Sequence, residues 1–168
     1  MTELDQVWSE MLGEAYKNAA ASGCNSVADY LRLKAANDSI RAVGVKWLFD
    51  TFVELAGHAV RKNAALALER REPHNFKHGN SNMVGSLLSI SHGVRCLTVE
   101  AGWTRTPGDG VMRGGALAFA RVTHFGMPRS GEELRLVHAD VFPRWVAAKG
   151  EPIGGPELRR HLDLLLTA

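Results

Sequence analysis

The segment Arg105-Thr-Pro-Gly-Asp-Gly-Val-Met-Arg-Gly-Gly115 holds the densest concentration of chemistry-bearing residue types in the chain. Glycines lack a Cβ, so successive backbone N–H groups can turn toward one point and form a nest for phosphate or carboxylate. Arg105 and Arg113 stand where two guanidinium groups can close on the same charge. The expected ligand-binding set is therefore Arg105, Gly108, Gly110, Arg113 and Gly114, with Trp103 beside them as a stacking surface. The order Gly108-x-Gly110-x-x-x-Gly114 is not a dinucleotide fingerprint, because it joins two strand-like stretches and opens no helix. It is not a P-loop, since no Gly-Lys-Ser/Thr follows. The competing explanation is a hairpin connection whose glycines only satisfy turn geometry.

Two weaker constellations involve histidine. His74 and His78 are four apart and lie near Glu69 and Glu72. On a helix that spacing would present both imidazoles to one metal, but Pro73 and Gly79 make the segment read as a loop. Glu100 with His124 or His138 is the other candidate. A carboxylate beside an imidazole on adjacent strands is an acid–base pair if the side chains meet. No Gly-x-Ser-x-Gly elbow or His-Glu-x-x-His pair occurs, and the residues identify no cofactor. Trp103 and Trp145 flank the sheet-like region, as ligand platforms or as the rim of the core.

These residues need a scaffold, and hydrophobic period supplies one. Leu4, Val7, Trp8, Met11, Leu12, Ala15 and Ala19 recur at helical spacing, with Gly23 as a stop. Asn25 or Ser26 caps a short helix through Val27, Tyr30 and Leu31. A longer helix is predicted from Asn37 or Asp38 to Glu72, with Gly44 and Gly57 marking bends or close packing, and its length predicts a break. Pro73 to Ser81 has loop composition. Strands then follow from Met83, from Val94, from Ala116 and from Leu134 to Phe142, and short connections make them antiparallel neighbours. A last helix starts at Pro156 and carries Leu158, Leu162, Leu165 and Leu166 on one face. No internal repeat or coiled-coil heptad stands out. The expectation is one α+β domain over 1–168: a helical part to about 72, a four-stranded antiparallel sheet over about 82–145 with the helices packed on it, and a C-terminal helix over about 156–167.

The 168 residues suffice for a core without disulfide or metal staples. Hydrophobic content of 45% and charged content of 23% suit a soluble globular protein and argue against disorder. Cys24 and Cys96 follow no metal or redox spacing. No signal region or membrane-length apolar run is visible, so the cytoplasm is the simplest compartment. The net charge of +2 does not argue for nucleic acid, which ranks last among the partners. The residues after Glu69 are richer in arginine than lysine, with Lys77 and Lys149 the only lysines there. Three functions are expected in this order: binding of a small anionic ligand by the Arg/Gly loop, an enzyme built on Glu100, His124 and His138, and a homo-oligomeric subunit.

Overall fold

The structure is a computed structural model that describes residues 3–62, 64–105, 115–139 and 142–167. Helix α1 (Glu3–Ala21) and helix α2 (Asn25–Arg61) form an antiparallel hairpin. Six strands follow: β1 (Ala67–His78), β2 (Ser81–His92), β3 (Arg95–Trp103), β4 (Ala116–His124), β5 (Glu132–Val137) and β6 (Arg144–Ala147). Helix α3 (Gly155–Thr167) closes the chain. The strands make one antiparallel sheet in sequence order. The α+β class and the antiparallel sheet are as expected. Among the described residues the sheet has six strands, not four, and two helices precede it, not three. No described helix is long and apolar enough to cross a membrane.

Each correction has a local cause. The short helix and the start of the long one are a single α2, about 55 Å long at 1.5 Å per residue. No helix starts at Asn37 or Asp38, where the long one was expected to begin. Asn37 is buried inside the helix, and Asp38 spends its carboxylate on Lys34 at 3.4 Å and on Arg41 at 2.7 Å. Gly44 marks close packing, one of the two roles its position suggested, and the helix does not end there. A Cβ there would lie 2.5 Å from Leu136 Cδ2, and the Gly44 carbonyl accepts the Trp145 indole N–H at 2.9 Å. Beyond Val60 the apolar face runs out at Arg61-Lys62, and α2 ends. The helix-favouring Ala67–Arg71 pairs instead with Leu87–Ser91 of β2. The expected loop at 73–81 is the second half of β1, closed by the two-residue turn Gly79-Asn80 with Gly79 at φ +56. The last expected strand ends at Val137, and β6 is a separate short strand around Trp145.

One face of the sheet carries Leu88, Ile90, Leu97, Val99, Ala101, Ala118, Ala120, Val122, Leu134, Leu136 and Trp145. Val45, Leu48, Phe49, Phe52, Leu55 and Ala56 of α2 pack against it, at the spacing of one helical face. Leu158, Leu162 and Leu165 of α3 complete the core. The small residues of β4 let the helices approach closely.

The opposite face is strongly curled. A flat sheet would hold β1 about 14 Å from β4, three strand spacings away. Yet the His78 and Phe119 rings stack at 3.9 Å, and Arg121 donates to the Lys77 carbonyl at 3.2 Å. The bend passes through Gly85 and Gly102, which pair directly. A Cβ on Gly85 would lie 1.9 Å from the Ala101 carbonyl oxygen, so only glycine allows the two backbones to cross this closely. A register shift between Arg71 and His74 continues the bend into β1. Met83 and Phe119 are buried on this outer face.

Candidate functional site

Antiparallel register separates the residues the sequence brought together. Glu100 lies opposite Arg121 on the outer face, whereas His124 pairs with Leu97 and points to the helices. The two are on opposite sides of the sheet. His138 is exposed beyond the end of β5. The expected Glu100–His124–His138 group therefore does not converge. Each of its first two members instead belongs to its own cluster.

On the outer face, Glu100 accepts from His74 Nε2 at 3.0 Å and from Arg121 Nη1 at 2.9 Å. Arg121 also faces Glu133 at 3.5 Å, and His78 lies 4.0 Å from the same carboxylate. His74 and His78 share a strand face, as a two-residue alternation requires, and their partners are these carboxylates. Among the described residues no group of three or more His, Cys, Asp or Glu is placed to hold a metal ion. Every charge in this cluster faces an opposite one, so its chemistry is that of a clamp pinning β1 across β3, β4 and β5.

On the helix-facing side the arrangement differs. His124, at the end of β4, is 4% exposed. Its Nε2 lies 3.0 Å from Nδ1 of His161 on α3, and the two rings stack with centroids 5.3 Å apart. His161 Nε2 lies 3.0 Å from Oε2 of Glu132, the first residue of β5. Chemistry assigns the protons along this chain. An ionised carboxylate only accepts, so His161 carries its proton on Nε2. His161 Nδ1 then accepts from the Nε2–H of His124. That leaves His124 Nδ1 a bare lone pair, buried and with no partner among the described residues. Burial and, less strongly, the neighbouring His161 hold the His124 pKa below the ordinary 6.5, which favours this neutral form.

The outer end of the chain opens on a pocket. After β6 the backbone turns at Ala148–Gly150 and returns beside β6, with Ala147 N–H bonded to the Glu151 carbonyl and Ile153 N–H to the Trp145 carbonyl. That return and α3 form the walls, lined by Glu132, Glu151, Ile153, Glu157, Arg160 and His161, around about 480 Å³. Glu157 accepts the Gly154 N–H at 2.9 Å and Arg160 at 3.3 Å. The backbone hydrogen bond is the main cause that lowers its pKa, so it stays ionised. Three carboxylates against one guanidinium make the pocket electronegative.

The Arg/Gly loop enters the described structure only at its ends. The Arg105 guanidinium lies over the Trp103 ring at 4.4 Å, a cation–π contact, and Trp103 is buried in the core cluster. Gly108, Gly110, Arg113 and Gly114 lie outside the described residues. Trp145 is a core residue held by its bond to Gly44. Sequence reasoning picked out His124 but missed Glu132, His161 and the Glu151–Arg160 wall. No local spacing links a strand end to a helix residue 37 positions later. The one available signal was a polar His161 inside the apolar stripe of the last helix. Comparison with known proteins found no matching family model, no similar curated protein and no similar solved structure.

Proposed function

We propose that this protein binds a small organic cation in the pocket between α3 and the return after β6, and that binding is linked to a proton. The observation that carries this reading is the continuous chain Glu132–His161–His124. It runs from the pocket to an imidazole nitrogen with no hydrogen-bond partner among the described residues. Native folds rarely leave such a nitrogen without a use. A protonated amine in the pocket meets the carboxylates of Glu132, Glu151 and Glu157. A proton on the imidazole chain repels the same amine, so proton and ligand compete. Affinity for a cation therefore falls on acidification, the sign that linkage requires. The same groups also offer acid–base chemistry, with Glu132 as the group that meets a substrate proton and His161 as its relay.

Calorimetric titration of a panel of mono- and diamines, beside carboxylates and phosphates, tests the reading at pH 7.5 and pH 5.5. Amines should bind at the higher pH and lose affinity about tenfold in Glu132→Gln or Glu151→Gln. Equal binding of anions and amines, or affinities untouched by both substitutions, would remove the proposal. A second reading keeps the anionic ligand at the Arg/Gly loop, favoured by Arg105 standing over Trp103. Phosphate that binds wild type but not Arg105→Ala or Arg113→Ala would move the site there.

A further inference from the structure

Antiparallel register gathers four connections at the end of the sheet where α2 finishes. The link from α2 to β1 (62–66), the β2–β3 turn (93–94), the β4–β5 connection (125–131) and the turn after β6 (148–150) all lie there. Two of them end in bare apolar side chains: Val94 is 92% exposed and Phe125 75%. The Phe125 N–H bonds the Cys96 carbonyl at 2.8 Å, and Val94 stands two residues before Cys96, so the two tips are neighbours on one rim. Val94 follows Gly93 (φ +61) in a two-residue hairpin turn, where Asn, Asp or Ser is the usual choice, and it adds nothing to the core. The same connections are basic. Lys62, Arg95, Arg129 and Lys149 have no acidic partner among the described residues, and Arg61 meets only the His58 ring. The two acids that border these connections, Glu132 and Glu151, line the pocket instead, and Glu132 is bonded to His161.

We infer that this rim docks on an anionic bilayer surface, with Val94 and Phe125 entering the interface and the basic side chains meeting lipid headgroups. Charge and shape choose this occupant together. Phe125 has Arg95 beside it across the pairing with β3 and Arg129 four residues on, so its surroundings are positive and unpaired. A protein partner needs a broad, continuous apolar patch, and two projecting turns do not supply one. A bilayer interface yields around each tip separately. A small apolar insertion alone binds reversibly and weakly, and so does a basic patch alone; the two on one surface make a peripheral anchor. Such docking needs no helix that spans the membrane.

Cosedimentation of the full chain with lipid vesicles tests this. Wild type should pellet with phosphatidylcholine vesicles carrying about a third phosphatidylserine, and stay in solution with phosphatidylcholine alone. Phe125→Ser should weaken binding about tenfold, and adding Val94→Ser should weaken it further. Circular dichroism and thermal midpoint should not change, since both side chains are exposed. Arg95→Gln and Arg129→Gln should each cost about fivefold, and raised salt should release the wild type. A wild type that binds neither vesicle overturns the inference, as does equal binding to both. Binding kept in full by the Phe125→Ser, Val94→Ser double variant also overturns it. Loss in Val43→Glu with Phe125→Ser unaffected overturns it and gives the contact to the exposed face of α2. A chain that ignores vesicles but binds a single-stranded oligonucleotide overturns it and gives the basic rim to nucleic acid.

Discussion

His124 and its bare Nδ1 set an acid response that can be read from a single side chain. In the folded protein burial and His161 hold its pKa below 6.5, whereas in the unfolded chain it titrates near that value. Between those two pKa values the unfolded state binds more protons, so stability rises with pH there. The loss therefore begins as pH falls through about 6.5 and continues to the depressed folded value, at no more than about 1.4 kcal/mol per pH unit. His124→Gln keeps an N–H for His161 Nδ1 but cannot take up the proton. Thermal midpoints from pH 7.5 to 5 should fall less in this variant than in wild type; parallel curves would show that His124 does not drive the response. Sequence reasoning reached this residue but not its partners. His124 alternates with Ala118, Ala120 and Val122, a face fit for a helix, but alternation within one strand does not fix its facing on the next, and it is the register that puts His124 opposite Leu97 and away from Glu100. What no spacing reveals is that α3 returns to place His161 beside it.

At the scale of elements, the curl of the β1–β2 hairpin decides the outer face, and two kinds of force hold it. One is backbone shape at Gly85 and Gly102. The other is the ion cluster of His74, Glu100, Arg121 and Glu133. Magnitudes separate them. Gly85→Ala forces a Cβ to within 1.9 Å of a backbone oxygen that cannot rotate away, and should cost about 3 kcal/mol, the upper end of overpacking. Glu100→Gln keeps an acceptor for Arg121, which also retains Glu133, and should cost about 1 kcal/mol. Urea unfolding of both variants checks the order, and a larger loss for Glu100→Gln would make the charges the main clamp. Both β1 and β6 escaped a reading by pattern, for different reasons. Residues 64–72 are rich in good helix formers, and strand pairing with β2 overrides that preference. The Gly79-Asn80 pair is a genuine hairpin signal, but its flanking residues were too polar to read as strands. The four residues of β6 are too few to show an alternation.

For the whole molecule, the structure divides into a body and a projecting helical hairpin, and Arg41 joins them. Helix α1 packs mainly on α2, while the second half of α2 lies in the core. Arg41 sits near the division, 1% exposed, with Nε donating to the Leu117 carbonyl of β4 at 2.7 Å and Nη1 to Asp38 at 2.7 Å. Its aliphatic stem is buried and its charge is matched, so removing it leaves Asp38 without one of its two cationic partners and a buried carbonyl short of a donor. A contact of this kind costs about 3 kcal/mol to break from one side. Local stability should follow the division, because opening α1 exposes little apolar surface, whereas opening β2–β5 exposes the core. Hydrogen exchange should then show α1 amides exchanging first and those of β3, β4 and residues 45–56 last. In Arg41→Met the gap should widen, with the first half of α2 moving toward the rate of α1 while the core strands lose protection only by the global amount. Uniform loss across both parts would mean that the hairpin and the body unfold as one unit and that Arg41 is an ordinary core contact. Slow exchange in α1 of wild type would mean that the hairpin is held by something beyond its packing on α2.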